Sequence, residues 1–152
     1  MTDRKQPLSH EEFETIYSKV PRVTVEVVIT NAKGVVLALR QEPSWHGLWH
    51  IPGGTILSKE TVHQALERIA YEELGVRVSV GEILGYIEYP SEEEEHGFGW
   101  SVGLAFHCQL ASSVDQERWD REKIQFFTAL PDNMLEEQQA VLELALKRQS
   151  LT

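Results

Sequence analysis

Between Ser58 and Gly75, apolar residues recur at helical spacing: Val62, Ala65, Leu66, Ile69 and Ala70. This period predicts an amphipathic helix from about Lys59 to Leu74, with Ser58 as N-cap and Gly75 as the residue that ends it. Glu72 and Glu73 follow Ile69 at i+3 and i+4, so they share its face, which is the apolar one. The opposite side holds Glu60, Gln64, Glu67 and Tyr71. Two ionised carboxylates side by side at the border of a core repel each other and resist desolvation. A bound cation relieves both costs, and hard divalent ions such as Mg²⁺ accept a few carboxylates together with substrate phosphates. Arg68 is placed to pair with one carboxylate and fix its rotamer. Periodicity alone leaves a second reading open, an acidic helix face that simply meets water; it suits Glu60 and Glu67 better than Glu72 and Glu73. Immediately upstream, Gly53-Gly54 allows a backbone carbonyl or amide to approach a ligand closely.

The charge balance bears on that choice. Lys and Arg number 14 against 24 Asp and Glu, a formal net charge of -10. This argues against a nucleic acid polymer or an anionic membrane as partner, since both are held by basic surfaces. A small anionic ligand would need a cation to bridge the like charges. At 152 residues the chain suits a single domain over 1–152, which buries roughly 68–70% of its unfolded surface without disulfides. Cys108 is the only cysteine, and its apolar surroundings mark a packed thiol. The charged N-terminus lacks the apolar run of a signal peptide, and no stretch reaches the ~18 apolar residues of a membrane span. A soluble, cytoplasmic protein is the expectation.

Elsewhere, Ser9 to Glu12 reads as a capping box that opens a helix over about 10–19. Val23 to Thr30 and Val35 to Arg40 read as strands joined by the hairpin turn Asn31-Ala32-Lys33-Gly34. A loop from Gln41 to Gly47 leads to Leu48-Trp49-His50-Ile51 and a turn at Pro52-Gly53-Gly54. Val76 to Val80 and Ile83 to Tyr89 read as two strands interrupted near Gly81, Ser91 to Gly97 as a polar loop, and Ser101 to Leu110 and Ile124 to Thr128 as further strands. A C-terminal helix is expected over about 133–148. Helices before, between and after runs of strands fit an α/β class, a mixed β-sheet between helices.

The span Gly54-x5-Glu60-x7-Arg68-Ile69-Ala70-x-Glu72-Glu73-x-Gly75-Val76, residues 54–76, resembles the Nudix box, G-x5-E-x7-R-E-U-x-E-E-x-G-U with U aliphatic. The lead-in Trp49 to Gly53 is also similar to the family's. The resemblance implies a Nudix-like α/β/α sandwich and Mg²⁺- or Mn²⁺-assisted hydrolysis of a nucleoside diphosphate linked to another moiety X. It implies Glu72, Glu73 and the carbonyl of Gly53 as metal ligands and Arg68 as the arginine that orients the carboxylates. Glu60 matches a glutamate whose part is more structural. A homodimer is a family-level expectation.

The departure is Ile69, where family members commonly carry a glutamate that serves as base or metal ligand. An isoleucine does neither. Two readings follow: a catalytically silent nucleotide-binding sensor or interaction domain, or an enzyme whose base comes from elsewhere. The GDP-mannose mannosyl hydrolase subgroup also has an apolar residue there, with an acidic strand residue where Glu26 stands and an arginine like Arg40 before a similar loop. In that subgroup the sugar carbon is attacked and a loop histidine is the base. This chain differs in having Thr55 where the subgroup has an arginine, Asp120-Arg121 where it has a Gln-His pair, and one more residue between Pro43 and Gly47.

With Ile69 excluded, Glu117, Asp120 and Glu122 before the Ile124 strand are base candidates, as is His96, which titrates near neutral pH. Glu92 to Glu95 otherwise read as a solvated face. Arg40 suits a phosphate contact, and Tyr89, Trp45 and Trp100 are the aromatic residues placed to stack on a base or sugar. His46 and His50, ~13 Å apart if extended, are too distant to share a metal ion.

Overall fold

The computed structural model describes residues 4–112 and 115–151. Its elements are α1 (His10–Tyr17), β1 (Arg22–Asn31), β2 (Gly34–Leu39), β3 (Trp49–His50), β4 (Gly53–Thr55), α2 (Val62–Leu74), β5 (Val78–Glu88), α3 (Glu92–His96), β6 (Ser101–Leu110), β7 (Ile124–Phe127) and α4 (Gln139–Ser150). Strand order is β3-β2-β1-β6-β5, with β4 also paired to β1 and β7 to β2. The β1–β6 pairing is parallel and the others are antiparallel, so the sheet is mixed.

Strand β1 shows how the layers arise. It is buried from Thr24 to Thr30, as expected of a strand covered on both faces. Val25, Val27 and Ile29 pack with Ala65, Leu66, Ile69, Ala70 and Leu74 of α2. Val28, on the other face, packs with Val141, Leu142 and Ala145 of α4. Alternation of side chains along the strand therefore sets one helix on each side, the α/β/α sandwich. Glu26 shares its face with Val28 and so points to the α4 side. Among the described residues no helix is long and apolar enough to cross a membrane.

Several boundaries differ from the sequence expectation, each for a physical reason. Helix α2 starts three residues later than Lys59, because Thr61 rather than Ser58 is its N-cap and forms a capping box with Gln64. Gly75 ends it in the left-handed region at φ 67°, as anticipated. The expected helix over 133–148 begins only at Gln139: Asn133 and Leu135 hydrogen-bond the backbone of Trp49, which keeps that stretch extended, and a 3₁₀ turn at Glu136–Gln138 follows. The two strands around Gly81 are one, β5, since shifts of register between Val80 and Gly85 absorb the irregularity without ending the pairing to β6. Gly53 and Gly54 belong to strand β4 against β1 rather than to a free turn. Ser91 to Gly97 contains the short helix α3.

Candidate active site

Arg68 sits at the centre of a closed set of contacts. Its Nε donates to Glu60 Oε2 at 2.7 Å, Nη2 to Glu60 Oε1 at 3.1 Å and to the Thr55 carbonyl at 2.9 Å, and Nη1 to Glu72 Oε2 at 3.0 Å. The Glu60 side chain is 0% exposed, which corrects its placement on the solvent side of the helix. Glu60 precedes the N-cap, so helical periodicity does not govern where it points; its Oε1 also accepts from the Leu57 N–H at 3.0 Å. Burial alone would raise the Glu60 carboxyl, but the hydrogen bonds from Arg68 and Leu57 and the Arg68 charge hold it below the usual range.

Glu73, the next residue along α2, faces a cavity of about 320 Å³. Desolvation raises its carboxyl, and the charges of Glu42 and Glu72 raise it further against the pull of Arg40. Gly53 and Gly54 line the same cavity. A methyl group at Gly53 would overlap Glu26 Oε2, and one at Gly54 would meet Ile69 Cδ1 at 3.2 Å. Ile69 is 2% exposed beneath this glycine pair, so the position where the family carries a glutamate is filled by core. Glu72 is not part of the cavity wall, and its half-exposed carboxylate is held by Arg68.

Around Glu73 the cavity also takes in Arg40, Trp45, His50 and Lys123. The Arg40 guanidinium lies 5.4 Å from the Trp45 ring centroid and donates to the carbonyl and hydroxyl of Ser44, both at 3.3 Å. His50 Nδ1–H donates to the Ala38 carbonyl at 2.8 Å, which leaves Nε2 as an acceptor. Burial, reinforced by the Arg40 charge, pushes the His50 imidazole down to about 4, so it is neutral at physiological pH.

The other end of the cavity is a buried polar chain. The Tyr89 hydroxyl donates to Glu26 Oε1 at 2.8 Å, Gln138 Nε2 donates to the Tyr89 oxygen at 2.9 Å, and the Ile51 N–H donates to Gln138 Oε1 at 2.8 Å. Burial pushes the Glu26 carboxyl up to about 8, against the hydrogen bonds from Tyr89 and Thr24. Tyr89 thus presents its hydroxyl to a carboxylate while its ring is buried, not an open face for stacking.

Of the residues singled out in the sequence, Glu26, Arg40, Trp45, Gly53, Glu73 and Tyr89 line one cavity. Arg68 lies behind it. Asp120 and Glu122 do not line it, although the adjacent Lys123 and Ile124 do; Asp120 Oδ1 accepts from the Glu122 N–H at 3.0 Å. His96 is outside as well, with Nδ1 3.2 Å from the Ser44 hydroxyl. Trp100 is exposed on a separate surface groove with Val20 and Pro21. Residues that sequence reasoning did not consider include Arg22, Ser101 and Gln138, while His50 and Glu92 were weighed for other roles. Glu92 was hidden in a run of four glutamates, yet it is 4% exposed and paired with Arg22.

Among the described residues no three His, Cys, Asp or Glu side chains converge closely enough to hold a metal ion by themselves. The donor set nevertheless fits Mg²⁺ or Mn²⁺. Glu73 and the glycine pair bring hard oxygens to the cavity, Glu72 stands one residue away on Arg68, and Mg²⁺ characteristically leaves further positions to water and substrate phosphate.

Comparison with known proteins identifies the fold and the family. The chain is 43% identical over 79 residues to the low-salt glycan biosynthesis protein Agl8 of Haloferax volcanii, a match covering 52% of this chain and 51% of that protein, so the chain accounts for about half of that relative's length. It is 27% identical over 124 residues to a MutT-like protein of Streptomyces ambofaciens, covering 82% of this chain and 73% of the relative. A crystal structure of a MutT NUDIX hydrolase from Burkholderia pseudomallei superposes with TM-score 0.67 at 20% identity, over 83% of this chain and 98% of the other, and shares the fold. The family profile described as the NUDIX domain matches residues 20–148, and on that match, from just before β1 into α4, the chain belongs to the Nudix family.

Proposed function

We propose that the chain is a metal-dependent hydrolase of a nucleoside diphosphate linked to another moiety, a nucleotide sugar or a related pyrophosphate compound. The observation that carries this reading is the exposure of Glu73, from the Nudix box, to a cavity whose walls also hold Arg40 and Lys123. A carboxylate for a cation and two cations for phosphate, in one concave site, suit a metal-chelated diphosphate. Glu72, Glu73 and the Gly53 carbonyl are the groups that would hold Mg²⁺ or Mn²⁺. A bound ion of this kind supplies Lewis acidity at the phosphate oxygens and a water of lowered pKa. Arg68 fixes the rotamer of Glu72, Arg40 orients the diphosphate against Trp45, and Glu26 with Tyr89 contacts the remainder of the substrate.

Ile69 requires the base to come from outside the box, as in the GDP-mannose mannosyl hydrolase subgroup, and the atom attacked, carbon or phosphorus, is what the labelled-water test below reads. His50 Nε2, a neutral acceptor on the cavity wall, is the base proposed, and Asp120 and Glu122 of the adjoining loop, which lie off that wall, are the alternative. The name of the Haloferax relative, which places that protein in glycan biosynthesis, favours a sugar-bearing substrate. A homodimer working on a small molecule in the cytoplasm completes the reading.

The test is a panel of nucleotide sugars, dinucleoside polyphosphates and nucleoside triphosphates, incubated with Mg²⁺ or Mn²⁺ in ¹⁸O-labelled water. Metal-dependent release of product from a nucleotide sugar or related pyrophosphate is the expected result, with label on the sugar placing the attack at carbon and label on phosphate placing it at phosphorus. One observation favours a second reading, a nucleotide sensor without turnover: Ile69 is packed at 2% exposure where the family's glutamate would be. A metal-dependent thermal shift with nucleotide, and no product from any member of the panel, would establish it.

A further inference from the structure

The cavity has two chemically distinct ends. Arg40 and Lys123 stand with Glu42 and Glu73 at one. At the other, Arg22 Nη2 meets Glu92 Oε1 at 3.0 Å and Nη1 donates to Thr55 Oγ1 at 2.6 Å. The rings of Phe13 and Tyr17 in α1 lie 5.4 and 6.0 Å from the Arg22 guanidinium carbon. Glu92 in turn accepts from the Ser101 hydroxyl at 2.8 Å. Every one of these groups is held in place before any ligand arrives.

The charges at this end settle what it suits. Arg22 and Glu92 sum to zero, and Glu26 beside them adds a carboxyl that is either neutral or negative. In neither protonation state is there an excess of positive charge for a phosphate. What the end does offer is alternating donors and acceptors: guanidinium N–H groups, carboxylate oxygens, and the hydroxyls of Thr24, Ser101 and Tyr89. That complement matches neighbouring hydroxyl groups, each of which both donates and accepts. The Arg22 side chain is 21% exposed and has five N–H groups, so donors remain beyond those that meet Glu92 and Thr55, and the pairing among these groups fixes the directions in which the rest point.

We propose that Arg22, Glu92 and Ser101 form a subsite for a neutral, hydroxyl-rich group, the glycosyl moiety of the substrate, with the diphosphate at the Arg40 end. The proposal rests on the hydrolase reading of the same cavity for the identity of the substrate, but its test does not require turnover. Binding of GDP-mannose, UDP-glucose and ADP-ribose, and of GDP, UDP and ADP, is measured by calorimetry with Mg²⁺ at low temperature, alongside KM and kcat wherever product forms. Ser101→Ala, Glu92→Gln and Arg22→Lys are each expected to weaken the preferred sugar nucleotide at least tenfold and its parent diphosphate less than twofold. Arg22→Lys keeps the charge but loses the planar fork, so a selective loss there separates hydrogen-bond geometry from charge. Ser101→Ala, which leaves the ion pair intact, decides the matter if Glu92→Gln does not fold.

Equal weakening of sugar nucleotide and diphosphate, or no change in either, overturns the subsite. So does a wild-type protein that binds every diphosphate as tightly as its sugar derivative. A selective loss of binding in a protein without turnover would uphold the subsite and refute hydrolysis; turnover with unselective losses would do the reverse.

Discussion

Arg68 and Glu73 lie five residues apart on one helix, and their surroundings are opposite in kind. Around Arg68, charge is balanced within the protein: Glu60, Glu72 and the Thr55 carbonyl occupy the guanidinium. Around Glu73, charge is left unbalanced, with Glu42 and Glu72 acting against a carboxyl that burial already raises. A buried charge whose partners are all present serves the fold. A carboxyl that opens on a cavity and has its ionised form disfavoured, first by desolvation and then by like charges, is a candidate binding position. Two groups in the same box motif thus divide: Arg68 holds the loop before α2 to the helix, and Glu73 is the one proposed to hold the ligand.

Substitutions separate the two roles. Glu73→Gln is expected to reduce turnover about 100-fold or more, the scale of losing an electrostatic contributor in a reaction centre, while circular dichroism and the melting temperature stay close to wild type. An unfolded or fully active Glu73→Gln protein would erase the distinction. Arg68→Met should do the opposite to stability, costing about 3–5 kcal/mol by urea denaturation because it strands the buried Glu60 carboxylate. Replacing Glu60 and Arg68 together by apolar residues should recover part of that loss, which a double-mutant cycle would read directly.

The same pair sets an acid limit. Since the folded protein holds the Glu60 carboxyl below its ordinary value, the unfolded chain takes up this proton at higher pH than the native one. The stabilisation from Glu60 is therefore complete above the ordinary carboxylate range and is lost as pH falls through the lowered, folded value. Melting curves between pH 7 and 3 should show this contribution disappear in wild type and be absent from Glu60→Gln. The smallest effects belong to Asp120→Asn and Glu122→Gln, which lie off the cavity wall and should leave turnover unchanged within error. A marked loss in either would assign the base to that loop.

How much of this was legible depended on whether the relevant forces were local. The α2 helix, its termination at Gly75 and the shared face of Ile69 and Glu73 follow from spacing alone. Sequence reading also singled out Glu26, Arg40, Gly53 and Tyr89, which the fold gathers at one cavity. Glu60 was misjudged because it lies before the N-cap, where the helical period no longer applies. Glu92 was misjudged because its burial is decided by Arg22, 70 residues earlier, and nothing within a run of glutamates marks which one turns inward. The start of α4 depended on a backbone pairing with Trp49, again invisible to a local window.

Glu26 carries one last consequence. A methyl group at Gly53 would overlap one oxygen of its carboxylate, and a methyl group at Gly103 would overlap the other. The two glycines come from β4 and β6, the strands on either side of β1. At Gly53 the Val25 carbonyl, 2.7 Å from such a methyl, closes the space as well, so that glycine stays fixed whatever stands at 26. At Gly103 the obstacles are side chains, and volume can be added there only if it is removed at 26. In a library randomised at all three codons, folded clones that gain a side chain at 103 should carry a shorter residue at 26, while position 53 should remain glycine. The cavity of this protein would then change shape by exchange between two neighbouring strands, not by drift at either of them.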